Sequence, residues 1–173
     1  DPGNTERIAK YAASVIEKDD FVFIDGGEMT EKMIAYISVK GAKFVTNSLH
    51  NACLMARRGL RVYMPGGEVR NPDKILVGTA CIESIGRYNF TKSFLETSGI
   101  STETGFTTED IDEADVKRAA VNKSLKTYIL AGKQKFGRSA AVTFANMQDA
   151  CIITEKMPND RYKDVTVIME VGE

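Results

Sequence analysis

Phe21-Val22-Phe23-Ile24-Asp25-Gly26-Gly27 is followed by Glu28-Met29-Thr30 and then by Met33, Ile34 and Ile37. Four apolar residues ending in a carboxylate and two glycines, with a switch to helical spacing, read as a buried parallel strand, a tight turn and a helix. In such a unit ligands bind outside the carboxyl ends of the strands. A helix start there offers free N–H groups and partial positive charge, which suits an anionic group such as a phosphate. A close strand-to-helix turn with no ligand would use the same two glycines, and the segment by itself leaves both readings open.

Outward from that stretch the pattern repeats. Upstream, Ile8, Ala9, Ala12, Ala13, Val15 and Ile16 recur at helical spacing, with Asn4 or Thr5 as the expected N-cap. Downstream, Phe44-Val45-Thr46 gives a second strand, and Asn47-Ser48 stands where a cap belongs ahead of Leu49, Ala52, Cys53 and Ala56. Those two residues could cap alone or also face a ligand. Gly59 suits a helix C-terminus, Arg61 to Met64 a third strand, and Pro65-Gly66-Gly67 a third small-residue strand end. Three such ends point to one crevice at the edge of a parallel sheet.

Ile75-Leu76-Val77-Gly78 is a further apolar stretch, with a short helix expected through Ala80, Ile82 and Ile85. Phe90 to Leu95 reads as a fourth parallel strand with Lys92 inside it, either solvated at an edge or aimed at the crevice. From Ser98 to Asp112 glycine, serine and threonine dominate, which predicts a polar binding loop or lid. Glu113, Val116, Lys117 and Ala120 begin a helix. The i, i+4 pair Glu113 and Lys117 is at minimum a surface ion pair worth about 0.3–0.5 kcal/mol. Thr127 to Ala131 and Ala150 to Thr154 are buried strands, Lys133, Lys135 and Arg138 make a basic loop, and Val165 to Met169 is an expected edge strand. The fold class is therefore α/β, a Rossmann-like, mostly parallel sheet with helices on both faces, in a single domain over 1–173.

At 173 residues the chain can bury roughly two-thirds of its unfolded surface. Its 23 basic and 24 acidic residues leave a formal charge of -1, so nothing in the balance draws it to DNA or an anionic membrane. Cys53, Cys81 and Cys151 sit among apolar or small residues and are expected as buried, reduced thiols. His50 is the only histidine, which removes most metal and Ser-His or Cys-His schemes, and no metal or cofactor is expected. No apolar run is long enough to span a bilayer and no signal pattern appears, so a cytoplasmic location is expected. The opening Asp1-Pro2-Gly3 lacks an initiator methionine, as an excised piece would.

The ordered set Thr46-Asn47-Ser48, Gly66-Gly67, Leu76-Val77-Gly78, Gly105-Phe106-Thr107-Thr108, Glu113-Ala114-Asp115-Val116-Lys117-Arg118 and Lys135-Phe136-Gly137 resembles the C-terminal effector-sensing domain of DeoR-family bacterial transcriptional repressors. The likeness runs along nearly the whole chain. It implies a fold similar to ribose-5-phosphate isomerase, glucosamine-6-phosphate deaminase and the CoA transferases. It also implies a missing N-terminal helix-turn-helix domain as the only route to operator DNA, and a homo-oligomer, dimer or tetramer. The implied ligand is a phosphorylated sugar or related metabolite. Carried onto this chain, Asp25, Gly26, Gly27 and Thr30 would lie against it, and Asn47 and Ser48 would hydrogen-bond to it. Gly66 and Gly67 would allow close approach, Lys92, Lys117 and Lys135 would supply cations, and Glu113 would hold sugar hydroxyls or orient Lys117.

Three stretches depart from the family pattern. Glu28 and Met29 replace hydroxyl residues, and Glu28 would repel a phosphate. Glu96-Thr97-Ser98-Gly99 replaces Gly-Ala-Asp-Gly, and Gly132-Lys133 replaces Asp-Ser. The alternatives are a sugar-phosphate isomerase or deaminase using Glu113, which the loss of the acid at Ser98 disfavours, and an oligomerisation domain that has lost its ligand.

Overall fold

Residues 2–157 and 160–172 are described by a computed structural model. In chain order the elements are α1 (Pro2–Ser14), β1 (Phe21–Ile24), α2 (Glu28–Ile34), β2 (Lys43–Val45), α3 (Leu49–Arg57), β3 (Arg61–Tyr63), β4 (Glu68–Arg70), β5 (Ile75–Val77) and α4 (Thr79–Gly86). They continue with β6 (Phe90–Glu96), β7 (Gly99–Ser101), β8 (Gly105–Thr108), α5 (Ile111–Asn122), β9 (Ser124–Leu130), β10 (Val142–Ala145), β11 (Cys151–Glu155) and β12 (Ile168–Val171). Seven strands form one sheet in the order β12-β11-β9-β6-β1-β2-β3. Every pairing within it is parallel.

The continuous apolar run of β1 is explained by burial on both faces. Val22 and Ile24 point into a core with Phe44, Phe94, Tyr128 and Ile153, covered by Ile8 and Ala12 of α1, Met33 of α2 and Met55 of α3. Phe23 points the other way and packs with Leu95, Ile129 and Ile152 against Ile85 of α4, Val116 of α5 and Phe106 and Phe144 of a smaller sheet. Helices thus cover both faces of the sheet, as the sequence predicts. Among the described residues no helix is long and apolar enough to cross a membrane.

Several boundaries differ from the sequence reading. The first helix is already formed at Pro2, so Asn4 and Thr5 lie inside it and neither is its N-cap. The Asn4 amide instead donates to the Glu155 carboxylate at the end of β11. Helix α2 stops at Ile34, and Ile37 is buried from the turn that follows. Ile75–Val77 is no part of the main sheet. It forms an antiparallel hairpin with Glu68–Arg70, and Leu76 N donates to Asn47 O at 2.7 Å.

The expected loop or lid from Ser98 to Asp112 holds two strands. β7 and β8 pair antiparallel, β10 adds to β8, and all four residues of β8 are buried. Its polarity misleads because the threonine hydroxyls are consumed by backbone: Thr97 Oγ1 donates to Gly99 O and Thr107 O, and Thr107 Oγ1 accepts from Ala140 N at 2.8 Å. The last strand begins at Ile168 rather than Val165, leaving Val165 and Val167 exposed. Of the three thiols only Cys81 is buried, and burial pushes its pKa up to about 11. Cys53 is exposed and Cys151 half-buried.

Candidate functional site

Asp25 leaves the carboxyl end of β1 between β6 and β2. Its main-chain N–H donates to Phe94 O at 3.0 Å. Its Oδ2 accepts from the Lys117 ammonium and from Glu96 N at 3.1 Å, and its Oδ1 from Gly26 N at 2.9 Å. Lys117 reaches it from the buried face of α5, donates also to Glu96 O at 3.0 Å, and stands 5.5 Å from the Phe144 ring. Both side chains of this pair are only 8 % exposed. The i, i+4 spacing of Glu113 and Lys117 therefore marks something other than a surface ion pair, since the ammonium is buried and spent on Asp25.

Glu96 ends β6 and turns its carboxylate onto the β1–α2 turn, where Oε2 accepts from Thr30 N at 2.9 Å and Thr30 Oγ1 at 3.0 Å. An internal carboxylate thus occupies one of the N–H groups that the sequence assigned to a ligand, that of Thr30. Glu28, expected to repel an anion there, instead points outward with its side chain 83 % exposed, near Lys32 at 3.9 Å. Burial, with the charge of Asp25 beside it, raises the Glu96 carboxyl above its ordinary 4.5, against the pull of Lys117 and the Thr30 bonds. Burial likewise raises Glu113, opposed by Lys117 and reinforced by Asp25.

A carboxyl raised by folding contributes stability that is complete below 4.5 and is lost as pH rises through the folded value. Glu96→Gln keeps an acceptor for Thr30 and has no such titration. Its unfolding free energy should therefore fall less steeply than the parent's as pH rises above 4.5, as measured by chemical denaturation. A parallel fall in both proteins would show that Glu96 keeps its ordinary acidity.

Above this cluster lies a crevice of about 390 Å³ lined by Gly26, Gly27, Glu31, Ser48, His50, Asn51, Asp73, Ile75 and Glu113. Ser48 caps α3, its Oγ accepting from Asn51 N at 3.1 Å. Asn51 in turn donates to Asp25 O at 2.9 Å and Thr30 Oγ1 at 3.3 Å, tying the α3 start to the β1–α2 turn. Loss of the cap in Ser48→Ala should cost about 1 kcal/mol in denaturant unfolding, and Ser48→Thr most of that less. His50 Nε2 stands 3.0 Å from Glu31, and Arg70 Nη2 stands 3.2 Å from both Asp73 and Glu113, while Nη1 pairs with Asp110.

Of the residues singled out in the sequence, Asp25, Gly26, Gly27, Thr30, Ser48, Glu113 and Lys117 come together here. Asn47 is buried one step behind, its Nδ2 donating to Leu76 O at 3.1 Å and its Oδ1 without a partner. Gly66 and Gly67 do not join them. They pack the hairpin against α4, where Gly66 N donates to Ser84 Oγ at 3.0 Å and a Cβ on Gly67 would meet Val77 O at 2.8 Å. Lys92 lies toward the amino end of the sheet, in register with Val22, and donates to Asp20 at 2.7 Å and Val15 O at 3.1 Å. Lys135, in a 3-10 turn (Lys133–Lys135) after β9, does not line the crevice. Sequence reasoning passed over Glu96, Asn51, Asp73 and Arg70. Asn51 carried a signal as the N3 residue of a helix already assigned to the site, and Glu96 as the first residue of a stretch that departs from the family pattern.

Residues 3–156 match the family model described as the DeoR C terminal sensor domain. The chain is 37 % identical over 169 residues to an uncharacterized HTH-type transcriptional regulator, FruR, of Bacillus subtilis, covering 95 % of this chain and 67 % of that protein. It is 31 % identical over 144 residues to the glycerol-3-phosphate regulon repressor of Escherichia coli, covering 82 % and 57 %. The chain thus spans only part of the length of these relatives. Among solved structures, ribose 5 phosphate isomerase A from Neisseria gonorrhoeae superposes with a TM-score of 0.54 at 15 % identity, over 78 % of this chain and 53 % of that one. eIF2B delta from Chaetomium thermophilum does so at 0.56 and 19 %, over 79 % and 50 %. At such identities the likeness concerns the fold alone.

Proposed function

The chain belongs to the DeoR C-terminal sensor domain family, and from that premise we propose that its crevice binds a phosphorylated sugar or related metabolite whose occupancy alters operator binding. The operator would be gripped by a helix-turn-helix domain joined ahead of this one. The observation that carries the reading is the crevice lined by Gly26, Gly27, Ser48 and Asn51 at the carboxyl ends of β1 and β2, tied to the buried Asp25–Lys117 pair through the bond from Asn51 to Asp25 O. Such switch points of parallel sheets are where ligands bind. The names of two relatives, a glycerol-3-phosphate regulon repressor and a lactose phosphotransferase system repressor of Staphylococcus epidermidis, support a phosphorylated effector.

The domain acts by population shift and not by turnover. Relatives named as transcriptional regulators support that choice over an isomerase. To move a regulator from 1:99 to 99:1 the effector must favour one state by about 5.5 kcal/mol. Strand β1 is central and Asp25 links it to β6 and α5, so a ligand over Gly26 and Gly27 bears on elements of both sheet faces. We assign the same 1–173 unit to oligomerisation, as a dimer or tetramer reading a two-fold operator; light scattering of the chain that returned a monomer would overturn this.

Thermal unfolding in the presence of a panel of sugar phosphates tests the reading. A true effector at a hundred times its dissociation constant should stabilise the chain by about 2.7 kcal/mol. If no compound moves the midpoint, the domain serves oligomerisation alone. Conversion of ribose 5-phosphate or glucosamine 6-phosphate would establish the isomerase or deaminase reading instead.

A further inference from the structure

We infer that Arg70, a residue of the β4–β5 hairpin, is the cation that receives the effector's phosphate. The inference rests on the sensor reading above. Around the crevice the charges are mostly of the wrong sign for an anion: Glu31, Asp73 and Glu113 are carboxylates, and His50 is the only base in the lining. The lysines do not correct this. Lys117 has its ammonium on Asp25 and Glu96 O, and Lys92 is held by Asp20 toward the amino end of the sheet. Lys135 and Arg70 both lie outside the lining, but among the described residues only Arg70 is ion-paired to residues within it.

Arg70 is joined to the crevice through two of the lining carboxylates. Its Nη2 is shared between Asp73 and Glu113 at 3.2 Å each, while Nη1 pairs with Asp110, which does not line the crevice. The two contacts on the crevice side are thus long and compete for one nitrogen. Guanidinium has five donors in a planar fork, and a phosphate presents two oxygens that match it. An incoming phosphate takes Nη2, and Asp73 and Glu113 turn toward the crevice, where carboxylates accept well from sugar hydroxyls. Asp110 stays, because it also caps α5 by accepting from Glu113 N at 2.9 Å. The hairpin that carries Arg70 is itself wired to the site, through Leu49 N to Lys74 O at 3.0 Å and Leu76 N to Asn47 O at 2.7 Å.

The test is a titration of the isotope-labelled chain with inorganic phosphate, following the Arg70 Nε–H signal and the amides of Gly26, Gly27 and Ser48. Saturable shifts of all four are expected. Arg70→Gln should weaken phosphate by about tenfold or more, and Arg70→Lys should recover only part of this, having no fork. Glu113→Gln, which removes a competitor for Nη2, should tighten it about two- to fivefold. Asp110→Asn keeps a good cap and the guanidinium while weakening the clasp on the hairpin, and should leave the affinity nearly unchanged.

Phosphate that binds Arg70→Gln as well as the parent overturns the assignment, as does an Asp110→Asn protein that loses binding to the same degree, for then Arg70 is only a brace. Unphosphorylated sugars run in parallel separate the two levels. If they shift the crevice amides while phosphate leaves Arg70 unmoved, Arg70 falls and the sensor reading stands. If neither shifts them, both fall.

Discussion

Lys117→Met should lower the unfolding free energy by about 3–5 kcal/mol, the usual cost of removing one partner from a buried ion pair. The methionine fills the space of the aliphatic stem, so the loss comes from charge and not from a cavity. Asp25 would then be a buried carboxylate served only by Glu96 N and its own Gly26 N. Adding Asp25→Asn should restore more than half of the loss, because the amide oxygen still accepts from Glu96 N and no charge remains to solvate. Denaturant melts of the parent, the two single variants and the double variant measure this directly. Additive losses would mean that the pair does not interact across the interior.

Gly27→Ala is expected to cost about 2–5 kcal/mol, the sum of backbone strain and overpacking. At φ +147 the residue lies where L side chains rarely go, and its added Cβ would sit 2.2 Å from Glu96 Oε2. The carboxylate cannot step aside freely, since Thr30 holds it by two bonds. In Glu96→Ala the collision disappears and the strain does not. The same glycine substitution should therefore cost less in that background, with a coupling of about 1–3 kcal/mol. Equal costs in both backgrounds would place Glu96 away from the turn.

The parts of this fold that sequence displays are those in which a single physical cause dominates. β1 is legible because burial on both faces demands an unbroken apolar run, and Ser48 because a helix start demands an acceptor. The Thr-rich hairpin is not legible, since polarity is a proxy for solvation and these hydroxyls are solvated by backbone instead. Among the lysines the deciding variable is height along the sheet. Lys92 is four residues before the end of β6, roughly 13 Å at the strand rise, so it could never have reached the crevice. Lys117 could, because α5 lays it across the strand ends. Arg70 was invisible, and Glu96 showed only as a departure from the family pattern, for a different reason: their importance lies in which charges surround them, and that is a property of three dimensions.

The bond between Asn4 and Glu155 has a geometric corollary. Glu155 is the last residue of β11 and also accepts from Lys133 N at 2.8 Å, in the segment after β9. Helix α1 therefore starts level with the carboxyl ends of the strands and runs toward their amino ends, where Val15 O meets Lys92. Any polypeptide joined ahead of Pro2 leaves the molecule at the rim that holds the crevice, not at the opposite pole. A message from an occupied crevice to such a neighbour need travel along one rim of the sheet, with no passage through the interior.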